Sequence, residues 1–428
     1  MIDTTRISGV TTGEAFGAVL VGMKPMTVRV SASFSPGCED LTLTGLSETA
    51  TRETRARIRA AFGRVTVDVP GLMPMAEGAY HVTVHEAVES AQSLELAIVV
   101  AMARAHGRTV FEADHVFVGE LALDGRVRPV RGAGVYASAF PKLVASAESE
   151  HELLALATVP AGLRLVRTIA DLYTGDEVQS LVRESGKTLL TVAEPKPLDL
   201  APSHAHLFSI CEKLIETGHH VLLVGRAGSG KTMIARRLAT CTPALTTAQA
   251  KEVLAVQSVA GLLSNVFAPV ARPFRAPHHT VSDLALTGDQ RGRRPGEVSL
   301  AHHGVLFLDE LPEFRRSSLE ALSFHLREAR DGHATHFPSK PWGLVAAANP
   351  CACGNRTCVC GPETRSVYAR RLASVARLFN FTRVDVPDVT LEELMQPASV
   401  PAEVQPEGVA ERAPRASDRS GDEPGRDS

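Results

Sequence analysis

Apolar and polar positions alternate in Met26–Phe34 ("MTVRVSASF") and again in Arg64–Pro70 ("RVTVDVP"). A period of two predicts two strands, each with one covered face. Between them, Ser47–Phe62 ("SETATRETRARIRAAF") follows a helical rhythm behind a serine, which predicts a helix with Ser47 as N-cap and a basic outer face. Leu94–Ala105 ("LELAIVVAMARA") is apolar almost throughout but contains Glu95 and ends at Arg104. It is too short and too charged to cross a bilayer and suits a buried helix. Residues 1–183 are thus expected to form an α+β domain. Residues 184–205 carry three prolines and no amphipathic period, and are expected to be a linker.

The rhythm changes after His206, where a helix, a strand (His220–Val224), a glycine-rich loop and a second helix follow in order. That is how a parallel α/β core begins. Gly304–Phe314 ("GVLFLDELPEF") and Trp342–Pro350 ("WGLVAAANP") are continuous apolar runs, as expected of central parallel strands covered on both faces. The core is expected to span residues 206–390. Residues 391–428 are mostly Pro, Glu, Arg, Asp and Ser, and are expected to be a disordered tail.

Composition narrows the classes. A chain of 428 residues with 44% hydrophobic and 22% charged residues is ordinary for a globular protein of two or three domains. Its net charge of −3 gives no general basic footprint, so contact with nucleic acid would need a local patch or a surface made on assembly. The N-terminus lacks a basic start followed by an apolar stretch, and four of the seven cysteines crowd between Cys351 and Cys360. Neither feature fits a secreted disulfide framework, so a cytoplasmic protein without a membrane partner is expected.

The chemistry concentrates in the second half. Gly225, Arg226, Ala227, Gly228, Ser229, Gly230, Lys231 and Thr232 fit G-x-x-x-x-G-K-[ST] between an apolar strand and a helix. In such a loop the backbone N–H groups cradle phosphates, the lysine reaches the outer phosphates and the threonine hydroxyl serves Mg²⁺, so ATP or GTP is the expected ligand. Asp309 and Glu310 end an apolar strand, where Asp309 would hold Mg²⁺ and Glu310 would polarise a water. Asn349 ends the next strand and would orient that water, unless it is only a turn residue before Pro350. Cys351, Cys353, Cys358 and Cys360 are spaced C-x-C-x₄-C-x-C. Three readings stay open for them: a Zn²⁺ site, reduced free thiols or a redox role. Cys38, Cys211 and Cys241 read as small core residues. The pairs His219-His220, His278-His279 and His302-His303 would point apart on a strand, making poor joint metal ligands. The arginines of Arg52–Arg64 read as a solvated face, with contact to phosphate backbone as the alternative.

Arg272–Phe314 ("RPFRAPHHTVSDLALTGDQRGRRPGEVSLAHHGVLFLDELPEF"), together with the Gly225–Thr232 loop and Asn349, resembles the magnesium-chelatase-like AAA+ family of bacterial competence proteins (ComM-like). Gly45–Phe62 and Phe117–Gly132 are similar to that family's N-terminal domain. The resemblance implies a P-loop AAA+ core with a central parallel sheet, preceded by a domain similar in fold to the Lon protease domain (ribosomal S5 domain 2-like). It further implies a ring-forming ATPase that uses ATP and Mg²⁺ on DNA, promoting branch migration during natural transformation. No serine–lysine pair stands where a Lon-type protease would use one, so peptidase activity is not expected.

The chain also departs from the family. Aligned on Tyr368 and Pro387, Leu378 and Phe379 fall where the family's Asp-Arg finger pair belongs, with Arg377 as the nearest substitute. An arginine finger is worth ~10³–10⁵ in turnover. The family's helical lid is replaced by the expected tail, Asp331–Trp342 is shorter than its hairpin, and Leu198–Ser209 lacks its Gly-Gln step. Two readings follow from the resemblance. One is an ATP-driven DNA motor in a homo-oligomeric ring; the other is a non-hydrolysing nucleotide-binding scaffold that partners a complete paralogue. A third, metal insertion into a tetrapyrrole, is opposed by the Lon-like N-terminal domain.

Overall fold

The computed structural model describes residues 10–393 except 38, 66–77, 89, 108–110, 157–161, 175–189, 264–267, 290, 334, 356 and 391–392. The first half contains β1 (Thr11–Val21), β2 (Lys24–Pro36), β3 (Asp40–Leu46), β4 (Gly78–Val88), β5 (Val116–Val118), β6 (Glu120–Leu121), β7 (Val127–Arg128), β8 (Leu143–Ser146) and β9 (Arg164–Val166). Seven of these form a mixed sheet in the order β3-β4-β2-β1-β5-β8-β9, while β6 and β7 pair as a small ribbon. Its helices are α1 (Glu48–Val65), α2 (Glu95–Ala105), α3 (Ala133–Ala139), α4 (Glu150–Leu156) and α5 (Asp171–Thr174).

The alternation in β2 does what it predicts: Val28, Val30, Ala32 and Phe34 are buried. Helix α2 is buried along its length except at Arg104. It lies so close to β1 that a side chain on Gly13 would collide with the Ala105 backbone nitrogen at 2.3 Å. Burying each of Leu96, Ile98, Val99 and Val100 stabilises the fold by roughly 1.5–3 kcal/mol. Ser47 caps α1, its hydroxyl accepting the Ala50 N–H at 3.3 Å. The helix runs on through Arg64 and Val65, two residues that the alternation assigns to a strand, and the remainder of that expected strand lies outside the described residues.

The second half contains α6 (Pro202–Glu216), β10 (His220–Val224), α7 (Lys231–Thr240), α8 (Thr247–Ala260), β11 (Phe274–Arg275), α9 (Asp283–Thr287), α10 (Glu297–Leu300), β12 (Val305–Leu308), α11 (Arg316–Arg330), β13 (Gly343–Ala348), α12 (Pro362–Phe379) and β14 (Phe381–Asp385). Its five strands are all parallel, in the order β11-β12-β13-β10-β14. The continuous apolar runs divide between two cores. Val221, Leu223, Val305, Phe307, Val345 and Ala347 face α6 and α7. Leu222, Val224, Leu306, Leu308, Leu344 and Ala346 face α11 and α12. Burial on both faces explains why these strands read as unbroken hydrophobic stretches. Among the described residues, no helix is long and apolar enough to cross a membrane.

The expected linker is partly built into this fold. Helix α6 begins at Pro202 rather than His206, with the proline in its first turn, where its missing N–H costs nothing. Upstream, Ala193 donates to the Val270 carbonyl at 2.9 Å and Lys196 donates to the Thr240 carbonyl at 2.8 Å. Residues 184–189 of that linker, and the tail 391–428 apart from Glu393, lie outside the described residues. The two halves meet along α8. Leu156 and Ala155 of α4 join Ala250, Val253 and Leu254 of α8 in one apolar cluster. The Ser258 hydroxyl donates to Glu152 and accepts the Gly132 N–H at 2.9 Å. A second contact forms at the β1–β2 turn, where Met23 donates to the His336 carbonyl at 2.9 Å.

Candidate functional site

Strands β10, β12 and β13 are neighbours, and their carboxyl ends gather the polar residues that the sequence singles out. After β10 the chain turns through Gly228 (φ +80°) and Gly230 (φ +86°) into α7. Both angles are left-handed, which glycine adopts without strain. Gly230 has a second constraint, because a side chain there would meet the buried His204 ring at 2.5 Å. The Lys231 ammonium donates to the carbonyls of Gly225 and Arg226, both at 2.7 Å, and to Asn349 Oδ1 at 3.3 Å. Burial pushes this lysine below its ordinary value, against the attraction of Asp309, Asp388 and Glu310. Thr232 Oγ1 donates to Asp309 Oδ2 at 3.1 Å. Ser229 is buried and its hydroxyl has no protein partner.

Glu310 takes a left-handed backbone (φ +52°) just beyond Asp309, and its N–H is held by Asp309 Oδ1 at 3.0 Å. A non-glycine residue in that region is uncommon, and such strain gathers at functional sites. It leaves the Glu310 carboxylate exposed and 3.5 Å from His279 Nδ1. Asn349 is fixed from behind, where Tyr368 donates to its carbonyl at 3.0 Å. Beside the loop, a cleft of about 420 Å³ is lined by Gly225, Arg226, Pro350, Asp385 and Asp388, and Arg226 pairs with Asp388 at 3.1 Å.

Every candidate nucleotide residue from the sequence lies in this one place. Its chemistry suits a polyphosphate with a divalent cation. A helix N-terminus and an ammonium face inward, a hydroxyl–carboxylate pair offers oxygen ligands, and the orphan Ser229 hydroxyl is a further polar atom ready for an anion. The sequence reading gave His279 and Tyr368 no place at this site, naming one only in a histidine pair and the other only as an alignment anchor, and it passed over His204. Each comes from a separate segment, so its contact with this site shows only in the fold.

Of the other expectations, the one for His302 and His303 is overturned. His302 and His303 do not diverge. They sit in a turn with His303 at φ +55°, and both Nε2 atoms reach Glu252 Oε2, at 2.8 and 2.9 Å. Since His302 Nδ1 accepts the Lys340 N–H at 3.2 Å, its proton sits on Nε2 facing the carboxylate, which suits a hydrogen bond rather than a metal. Leu378 is half-buried and Phe379 buried in the core, while Arg377 is exposed and bonds the Ala373 carbonyl of its own helix. The arginines of α1 are largely paired: Arg52 with Glu48, Arg57 with Glu53, Glu95 and Glu120, and Arg59 with Asp40. Gly332–Trp342 contains no strand among its described residues.

The cysteine loop follows Asn349 directly. The sulfurs of Cys351, Cys353, Cys358 and Cys360 all lie within 4.8 Å of one another. Backbone N–H groups of Asn355 and Val359 point at the Cys353 sulfur and lower its thiol to about 6. Cys211 is a buried core residue, as expected, its thiol pushed up to about 12 by burial. Cys241 is half-buried and bonds the Pro197 carbonyl, and Cys38 lies outside the described residues.

Comparison with known proteins identifies the family. Residues 211–393 match the family described as magnesium chelatase, subunit ChlI, and residues 30–146 match the one described as subunit ChlI of Mg-chelatase. An uncharacterised protein of Mycobacterium tuberculosis is 35% identical over 389 residues, covering 84% of this chain and 74% of that protein. The YifB protein of Escherichia coli is 32% identical, covering 83% of this chain and 72% of its own length. The competence protein ComM of Haemophilus influenzae is 31% identical, covering 79% and 68%. The chain belongs to the magnesium-chelatase family, in its ComM- and YifB-like branch.

Proposed function

We propose that this chain binds ATP with Mg²⁺ at Gly225–Thr232 and uses it as an ATPase in DNA processing, in the manner of branch migration during transformation and recombination. The observation that carries the reading is the meeting of Lys231, Thr232, Asp309 and Asn349 within hydrogen-bond reach at the ends of three adjacent parallel strands. Under this reading the loop amides and Lys231 hold the phosphates, and Thr232 and Asp309 hold the cation. Bound Mg²⁺ would neutralise phosphate charge and polarise the outer phosphoryl group. Glu310 accepts a proton from an attacking water, and Asn349 orients that water. His279, beside Glu310, supports the carboxylate's position. Residues 206–390 would be the ATP-binding AAA+ unit. Residues 1–183 would be a Lon-like unit without peptidase residues, and a ring of such chains would enclose DNA.

One observation favours a second reading. Leu378 and Phe379 serve the core at the place where the family finger is expected, so a neighbouring subunit's ATP would lack its arginine. A non-hydrolysing scaffold that pairs with a complete paralogue is the form this would take. Steady-state ATP hydrolysis with and without branched DNA, beside a Lys231→Ala control, separates the two. DNA-stimulated turnover above the control is the expected result. Binding without turnover selects the scaffold, and no Lys231-dependent binding rejects both.

A further inference from the structure

The nucleotide reading leaves the cysteine loop unused, although that loop meets the site at Asn349 and at Ala227. It begins at Asn349, whose side chain bonds Lys231 at 3.3 Å, and it ends at α12, whose Tyr368 holds the Asn349 carbonyl. Midway, Gly354 lies against the Asn349 amide and its carbonyl accepts the Ala227 N–H at 3.5 Å. The loop is thus pressed onto the nucleotide-binding loop, but little in its own sequence would keep it there. It has no strand or helix among its described residues. Among those described residues only Cys351 is buried, and Val359 is 77% exposed. So few apolar contacts do not offset the entropy of ordering about ten residues.

We propose that Cys351, Cys353, Cys358 and Cys360 hold one zinc ion as a tetrathiolate, and that this ion clamps the loop against Gly225–Thr232. Zinc–sulfur bonds of about 2.3 Å in a tetrahedron place the sulfurs about 3.8 Å apart. Cys351 lies 3.6 Å from Cys353 and 3.0 Å from Cys358, and all four fall within 4.8 Å. The sulfurs are therefore gathered to within about an ångström of the metal-bound spacing before any ion enters. Soft thiolates in a fourfold set select zinc over the hard Mg²⁺ of the nucleotide site. The clamp also accounts for how the loop is tied down at both ends of its first turn. The residue that bonds Lys231 and the residue that holds Ala227 sit five positions apart, on either side of the first two cysteines.

The clamp rests on the ATP reading, whereas the zinc site does not, and the experiment keeps the two apart. Full-length protein purified without chelator is assayed for metal and for reactive thiols, and binding of a fluorescent ATP analogue with Mg²⁺ is measured before and after zinc removal. The expected result is about one zinc per chain, with the four thiols shielded until the metal is extracted and the zinc lost in a Cys358→Ser/Cys360→Ser variant. Removal should weaken the analogue on the order of tenfold, the scale seen when a site loses its supporting contacts. Zinc-free protein with four free thiols, a Cys351–Cys358 disulfide, or a different bound metal would overturn the proposal. Zinc present but without effect on analogue binding would overturn the clamp. Zinc-loaded protein that ignores nucleotide would overturn the ATP reading and leave the metal site standing.

Discussion

The two sheets place their polar residues in opposite ways. In the five-stranded sheet every pair is parallel, so all carboxyl ends lie on one edge, and Lys231, Asp309 and Asn349 meet there. Their hydrogen bonds are few and partly exposed, as a site for an external ligand requires. In the seven-stranded sheet the pairs are mixed, and two acidic side chains of that half, Glu95 and Glu152, are met by protein groups. Glu95 accepts the Leu121 N–H at 2.7 Å and faces Arg57 and the Thr54 hydroxyl. Glu152 accepts the Gly134 N–H at 2.9 Å and the Ser258 hydroxyl. Polar groups beside the seven-stranded sheet hold loops and a joint; those at the edge of the five-stranded sheet are, on the proposed reading, left to meet a ligand.

Three substitutions bear on that contrast, taken from the largest expected effect to the smallest. Glu310→Gln should lower ATP turnover by ~10²–10⁴ while leaving the melting temperature and ATP affinity unchanged, since the carboxylate is exposed. A large loss of stability would show that Glu310 belongs to the scaffold. Glu95→Gln should do the reverse. Burial pushes the Glu95 carboxyl up to about 7, so the folded chain keeps a proton that the unfolded chain releases above about 4.5. The Glu95 contribution to stability therefore falls as pH rises from about 4.5 to about 7 and is flat beyond. The variant should lose that slope and gain roughly 2–3 kcal/mol at pH 8, read by denaturant titration, with turnover intact. Loss of turnover instead would place Glu95 in the site's machinery. Ser258→Ala removes the shared hydroxyl between Gly132 and Glu152 and should cost about 1 kcal/mol. Burial already raises the Glu152 carboxyl, so this cost should grow with pH, and hydrogen exchange should rise along α8.

How much of this was legible in the chain follows the same divide. The glycine-rich loop Gly225–Thr232 is legible because its geometry is local: two left-handed glycines, a lysine and a threonine within eight residues. Asp309 and Asn349 are legible because they end apolar runs that must be central strands. His302 and His303 were misread, since the left-handed turn at His303 comes from docking against Glu252 of α8, which lies about fifty residues upstream. The role of Glu95 was hidden, since one acid in an apolar helix shows no partner until Arg57 and Leu121 arrive from elsewhere. The proline-rich segment before α6 looked free for lack of periodicity. Isolated backbone bonds to Val270 and Thr240 fix it, and such bonds leave no side-chain pattern.

The most direct test of the central claim is equilibrium binding of ATP with Mg²⁺ to the full-length chain and to Lys231→Ala, followed by calorimetry. The account predicts one nucleotide per chain, with an affinity reduced at least tenfold in the variant and dependent on Mg²⁺ through Thr232 and Asp309. Equal affinity in both proteins, or no binding to either, would contradict it.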